Sequence, residues 1–318
     1  MFLSRPLFRI VPDNTNIPFM RGRVLGVAFS ALLSVLSLVL AFYPGLEKGI
    51  DFRGGIIMEV RTPAPANLAA IRAGVSALDL GDVGVQEFGD ASTVLLRLPV
   101  QGDEGATQSA VNRVRGALEE AAPGARLLRT EAVGNRVSAE LFQGSLIALG
   151  ISMLAMMAYI WFRFEWQFAV GAIVTLLLET TKVVGFLAVT RIEFSLTTVA
   201  AVLTIIGFSV NDKVVVYDRM RENLRKYKTM PLQQLIDKSI NETLNRTIGT
   251  SMTLLLSALP LALFGGDALS GFAWTMVFGI VASTSSSIFI AAPILLFLGE
   301  NRLRRGTEAV AAVPSKGQ

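Results

Sequence analysis

The chain has 318 residues, 52% of them hydrophobic and 17% charged, with a mean hydropathy of +0.54 and a formal net charge of +4. A soluble domain carries nearer about 25% charge, so a large part of this chain must meet lipid. The chain contains no Cys and no His, which excludes disulfides, thiolate catalysis, Cys-based metal sites and the usual neutral-pH proton carrier.

Residues 1–23 form a basic leading segment, and Val24–Tyr43 is the first apolar stretch long enough to cross a bilayer. A spanning helix needs about 20 residues, and the cleavable core of a signal peptide only about 7–15. The run is too long for the latter, and Phe42-Tyr43-Pro44-Gly45 lacks a small-residue cleavage site, so the segment is expected to stay as an anchor. Residues 44–138 differ in character. Ile50–Arg61 reads as a strand, Asn67–Ala77 as a helix with Leu68, Ile71 and Val75 inward, and Val83–Phe88 and Thr93–Leu98 as a hairpin across Gly89–Ser92. Thr107–Ala121 reads as a helix with Val111, Val114 and Leu118 inward, ended by Pro123-Gly124, and Ala125–Val133 as a last strand. The order βαββαβ predicts a ferredoxin-like α+β domain. Its first piece, Gly49-Ile50-Asp51-Phe52-Arg53-Gly54-Gly55, is glycine-rich, but no Gly-Lys-Ser/Thr follows. It reads as a bulged strand start close to the membrane.

Residues 139–299 hold five further spans, near Leu141–Ile160, Phe168–Val189, Leu196–Val216, Thr247–Gly265 and Phe272–Leu298. Between the fourth and fifth lies a charged connection, 217–245. In it Asp218 meets Arg221, and Glu222 meets Arg225 or Lys226, at helical spacing. After Pro231 the stripe Leu232, Leu235, Ile236, Ile240 and Leu244 predicts an amphipathic helix, lying on the inner leaflet or covering the end of the bundle. Residues 300–318 form a tail. The fold expected is thus an α-helical membrane protein with six transmembrane helices and an inserted ferredoxin-like domain.

Basic residues set the orientation. Arg5, Arg9, Arg21 and Arg23 lead the chain against one acid, Asp13. Lys213, Arg219, Arg221, Arg225, Lys226, Lys228, Lys238 and Arg246 follow the fourth span, and Arg302, Arg304 and Arg305 the sixth. The opposite connections are poor in base: Thr190–Phe194 has only Arg191, and Gly266–Gly271 none. Both termini are expected in the cytoplasm of an inner membrane, with the inserted domain in the periplasm. That distribution accounts for the basic pI without nucleic acid.

Charges within spans are costly and mark either function or assembly. Glu179 and Lys182 lie one turn apart in the third span, where an i,i+3 ion pair would neutralise both. Asn211-Asp212 closes the fourth span, and Asn245-Arg246-Thr247, with Thr250, opens the fifth. A solvated interfacial pair and a functional pair are both open readings for Asp212 and Arg246. Small residues, Gly249, Ser251, Gly279 and Ser283, permit close helix contact. A lateral interface with a second six-span protein is expected over the fourth to sixth spans. No catalytic constellation, metal site or organic cofactor is indicated.

Five segments carry a resemblance: Gly49–Gly55 (GIDFRGG), Leu203–Asn223 (LTIIGFSVNDKVVVYDRMREN), Asn241–Ser251 (NETLNRTIGTS), Leu261–Gly266 (LALFGG) and Ala291–Gly299 (AAPILLFLG). On these the chain resembles the SecF family, the smaller membrane subunits of SecDF protein-export complexes within the resistance-nodulation-division superfamily. The resemblance implies pairing with SecD and proton-driven assistance to preproteins at the SecYEG channel. It implies proton transport by Asp212 and Arg246, with Asn211, Asn245 and Thr250 as polar support. It departs from the family in the third span, where a His-Asp pair is usual and this chain has Leu178-Glu179 followed by Lys182. Two other classes share these features: a small-molecule or lipid exporter subunit of the same superfamily, and a passive translocase scaffold. Proton and sodium coupling both fit the residues.

Overall fold

The computed structural model describes residues 12, 15–81, 83–102 and 104–298. The leading bases Arg5 and Arg9, the acid Asp13 and the tail 300–318 with Arg302, Arg304 and Arg305 lie outside the described residues. Among the described residues, six helices are long and apolar enough to cross a membrane. In chain order the first is α1 (Arg23–Leu40), which leads through a wide turn (Ala41–Gly45) to the inserted domain.

That domain comprises α2 (Ile50–Arg53), β1 (Gly55–Arg61), α3 (Leu68–Ser76), β2 (Gly84–Phe88), β3 (Asp90–Leu98), α4 (Glu104–Ala121) and β4 (Arg126–Val133). The sheet runs β2-β3-β1-β4 with every neighbour antiparallel. This is the split βαβ arrangement of the ferredoxin-like fold. Alternation along the strands directs Ile56, Met58, Val60, Val94, Leu96 and Leu98 to one face. Ile71 and Val75 of α3 and Val111, Val114 and Leu118 of α4 cover that face, as helical spacing predicts. Leu68 is only partly buried.

Two local expectations are corrected. The hairpin is tighter than Gly89–Ser92: β3 begins at Asp90, and Gly89 alone, at φ +76°, makes the turn. Ile50–Arg61 is not one strand. Ile50–Arg53 is a single helical turn, and Gly54 (φ +71°) and Gly55 (φ +131°) swing the chain into β1. A Cβ at Gly55 would meet the Leu98 carbonyl oxygen, so the conformation and the close approach both demand glycine.

After Gly134 the chain enters α5 (Asn135–Arg163), then α6 (Trp166–Thr190), α7 (Leu196–Lys226), α8 (Leu232–Phe264) and α9 (Gly266–Ser286). A wide turn, Ser287–Ala291, joins α9 to α10 (Ala292–Leu298), and these together make the sixth span. The separate amphipathic helix expected after Pro231 is the first half of α8, continuous with the fifth span. Leu232, Leu235, Ile236, Ile240 and Leu244 are buried against the bundle, so the stripe covers the end of the bundle instead of lying on a leaflet. Arg219 to Glu242 (2.8 Å) and Asn223 Nδ2 to Ser239 Oγ (3.0 Å) tie the two extended helices α7 and α8 together.

The bundle is packed in the manner of a membrane protein. On α1 the buried side chains are Ser30, Ser34 and Ser37, while Leu25, Phe29, Leu32 and Val35 face outward. Small polar residues let two backbones approach where apolar surface gains nothing by leaving lipid. Ser34 Oγ donates to the Leu178 carbonyl of α6 at 3.1 Å, and Ser37 lies directly over Gly185. A side chain at Gly185 would overlap Ser37 including its Cα. Gly185→Val is therefore expected to force α1 off α6 and to lower stability by about 1–3 kcal/mol, read as thermal unfolding in detergent. Gly150→Val, at a position with no neighbour within 4 Å, is the control and should stay within about 0.5 kcal/mol.

Candidate functional site

The buried charges gather where α6, α7, α8 and α9 meet. Glu179 of α6 is 2% exposed and Lys213 of α7 is 1% exposed. Lys213 Nζ lies 2.8 Å from Glu179 Oε1. Ser209, one turn before Lys213, accepts from its ammonium and donates to Glu179 Oε2, and Ser286 of α9 donates to Glu179 Oε1. One carboxylate thus collects an ammonium and two hydroxyls from two neighbouring helices.

The ion pair expected between Glu179 and Lys182 is replaced by this one. Helical spacing brings Lys182 near Glu179, and both charged side chains of the ion pair lie within its electrostatic reach. Among the described residues, however, the ammonium in contact with Glu179 is that of Lys213, which crosses from the adjacent helix. By its place along the chain Lys213 counts among the bases of the connection. It belongs to the interior. The signal was present: Lys213 lies inside the apolar run Ile205–Val216, next to Asp212 and four residues after Ser209.

Asp212 is 3% exposed and makes no ion pair with Lys213, although both members of that pair lie within its electrostatic reach. The hydroxyls of Ser287, on the wide turn after α9, and Thr247 of α8 flank its carboxylate. Neither Asp212 Oδ2 nor Thr247 Oγ1 reaches hydrogen-bond geometry with any described residue. Arg246 is not beside it. The guanidinium is exposed on the outer side of α8, as are Asn245 and Thr250, whose hydroxyl is satisfied by the Arg246 and Thr247 carbonyls. Asn211 is likewise exposed on α7. Of the five residues singled out around the fourth and fifth spans, Asp212 faces in and the other four face out.

Those four surround the place where Asp212 approaches Thr247, so they share one lateral face of α7 and α8. Small or polar exposed residues extend it: Thr197, Thr204, Thr253 and Ser257, and Gly207 and Gly249, beside which a Cβ would find open space. Three of the small residues expected at the interface instead serve contacts within the bundle. Ser251 is hydrogen-bonded to Thr284 at 2.7 Å, Gly279 lies against Ile205, and Ser283 is buried, so the small residues of α9 are used within the chain.

Comparison with known proteins bears on the whole arrangement. Residues 113–301 match the family model of the protein export membrane protein SecD/SecF, C-terminal. The protein translocase subunit SecF of Rhodobacter capsulatus is 41% identical over 307 residues, covering 92% of each chain. That of Rickettsia prowazekii is 40% identical over 298 residues, covering 93% of this chain and 96% of its own. The crystal structure of SecDF from Thermus thermophilus, titled a translocon-associated membrane protein, superimposes with a TM-score of 0.80 at 30% identity over 91% of this chain. This chain spans 39% of the length of that SecDF chain. A structure of SecDF in a super-membrane-facing form gives 0.65, also at 30% identity, over 96% of this chain and 41% of that one.

The buried pair generates a prediction. Lys213→Met leaves the Glu179 carboxylate without its cation and should cost about 3–5 kcal/mol, whereas replacing both charges is often close to neutral. Thermal unfolding in detergent should therefore show a large loss for Lys213→Met and recovery of most of it in Glu179→Gln/Lys213→Met. Equal losses in the single and double variants would show that the pair is not the interaction at stake.

Proposed function

The chain belongs to the SecF family, and on that premise we propose that it is an accessory subunit of the Sec protein translocase. It works beside SecD in the inner membrane, with both termini in the cytoplasm and the inserted domain in the periplasm. It draws on the proton gradient to promote passage of preproteins through SecYEG.

One observation supports coupling most directly: a buried carboxylate, Asp212, flanked by hydroxyls, with the guanidinium of Arg246 on the adjoining lateral surface. A guanidinium facing hydrocarbon is costly, so this face of α7 and α8 is the one that SecD covers. Protonation lets Asp212 rest uncharged between the Ser287 and Thr247 hydroxyls, and approach of a guanidinium favours release of the proton. Arg246 keeps its charge throughout, since a guanidinium is not deprotonated in proteins. Its part is to expel the proton, and a rearrangement at the interface with SecD brings it to Asp212 or takes it away. The pair Glu179–Lys213 neutralises itself and serves to hold the helices.

Gradient-dependent translocation into vesicles tests this. Asp212→Asn and Arg246→Met should insert and assemble at normal abundance yet lose the gradient-dependent part of the activity. Arg246→Lys should retain part of it, and Glu179→Gln/Lys213→Met should keep it. Full activity of Asp212→Asn would remove the coupling role.

The interface is tested separately. The chain has no native Cys, so cysteines placed at Gly249 and Thr253 report alone. Both should crosslink to SecD. Crosslinks only between copies of this chain would instead indicate a homomeric transporter.

A further inference from the structure

The segment Gly49–Gly55 is unused by the function described so far, yet Gly49, Asp51 and Phe52 all make contacts outside their own domain. The inserted domain is covalently joined to α1 through Leu46–Gly49 and to α5 through Gly134. Neither α1 nor α5 carries Asp212. The helix that does, α7, touches the domain through non-covalent contacts at its first residues and in the loop before it.

Those contacts are dense. Lys48 bridges to Phe194, with Gly49 N donating to the Phe194 carbonyl at 2.9 Å and Phe194 N to the Glu47 carbonyl at 2.6 Å. The Asp51 carboxylate accepts from Leu196 N, the first residue of α7, at 2.9 Å. It thereby satisfies one of the free N–H groups that open a helix and lies at the positive end of the helix dipole. The Phe52 ring packs 5.2 Å from Phe194 and 5.4 Å from Phe142, in a cluster with Leu187 and Val199. A Cβ at Gly49 would press on the Ser195 Cβ at 3.1 Å. At the other end of the turn, a side chain at Gly54 would meet Val100 and Asn135. Outside this turn, the loop also makes partly exposed ion pairs, Glu193 with Arg97 of β3 and Arg191 with Glu47. Such pairs contribute little.

From Leu196 to Asp212 is 16 residues of α-helix, about 24 Å, without a proline. Such a rod carries a shift or rotation at Asp212 to its far end. We infer that the Gly49–Gly55 turn is the joint through which movement of α7 reaches the inserted domain, with Asp51 as the positioning residue that grips the end of α7. This rests on the reading of Asp212 as the coupling site. Phe52 keeps the turn seated in the apolar cluster, and Gly54 and Gly55 pass its displacement directly to β1, the strand that pairs with both β3 and β4.

The test uses the full chain with SecD in proteoliposomes. Spin labels at Gln108→Cys on α4 and Leu269→Cys on α9 read the distance between the domain and the bundle. Introducing Asp212→Asn as a mimic of the protonated state should shift that distance distribution. Asp51→Ala should leave the resting distribution in place but abolish the shift, and should lower gradient-driven translocation to the level of Asp212→Asn. Asp51→Asn, which keeps an acceptor oxygen for Leu196 N, should restore both. An undiminished shift in Asp51→Ala would overturn the joint while leaving the coupling role of Asp212 intact. If Asp212→Asn causes no shift in the parent chain, the coupling reading and the joint fall together. Loss of the resting distribution in both Asp51 variants would mean that the residue only holds the domain, and would also overturn the proposal.

Discussion

A charge inside a low-dielectric bundle must be neutralised where it stands, and the arrangement of the spans follows from how this chain does so. Glu179 and Lys213 meet across two helices, with Ser209 and Ser286 completing the carboxylate's contacts from α7 and α9. These contacts set the resting rotation of α7 about its own axis. Successive residues on a helix diverge by about 100°. Fixing Lys213 toward Glu179 therefore directs Asp212 to a different neighbour, the junction of α8 with the wide turn after α9. The strong pair decides where the lone carboxylate points.

α7 connects three different environments. Its first turn is held at the domain side by Ser195 and Asp51, its middle carries the two buried charges, and its last turns leave the apolar bundle and pair with α8 through Arg219 and Glu242. Close to the middle, Tyr217 is buried between Phe164 and Phe168 and donates to the Ala291 carbonyl at 3.3 Å. That carbonyl belongs to the wide turn, where the regular ladder of the sixth span is interrupted. An irregular backbone at membrane depth is tolerated when protein groups satisfy it, and here α7 supplies the donor next to the residue that flanks Asp212.

Much of this was legible in the sequence. Length and hydropathy identify the six spans, and period-2 and period-3.6 patterns find the strands and helices of the inserted domain, down to the inward faces of Val111, Val114 and Leu118. What escaped was decided by contacts between distant segments. Glu179 has two candidate ammonium partners, and spacing along one helix favours Lys182; only packing reveals that Lys213 arrives from the next helix. Ile50–Arg53 looks strand-like because it is apolar and β-branched nearby, yet its helical turn is set by Phe194, Leu196 and the phenylalanine cluster. The stripe from Leu232 to Leu244 was separable from the fifth span only by assuming a break, and no proline or glycine lies between Pro231 and Gly249 to make one. Asp212 and Arg246 stand out as charges in apolar spans and by the family resemblance, neither of which says whether two side chains on different helices face each other.

The cross-helix pair also bears on inheritance. Either charge alone is costly to bury, whereas both together or neither are tolerable, so positions 179 and 213 behave as one heritable unit although 34 residues separate them. Drift at one site is held back until the other changes. A chimera that takes its third span from one relative and its fourth from another would strand a carboxylate or an ammonium in the bundle wherever the two parents differ at these positions. The two spans are exchangeable between such chains only as a set.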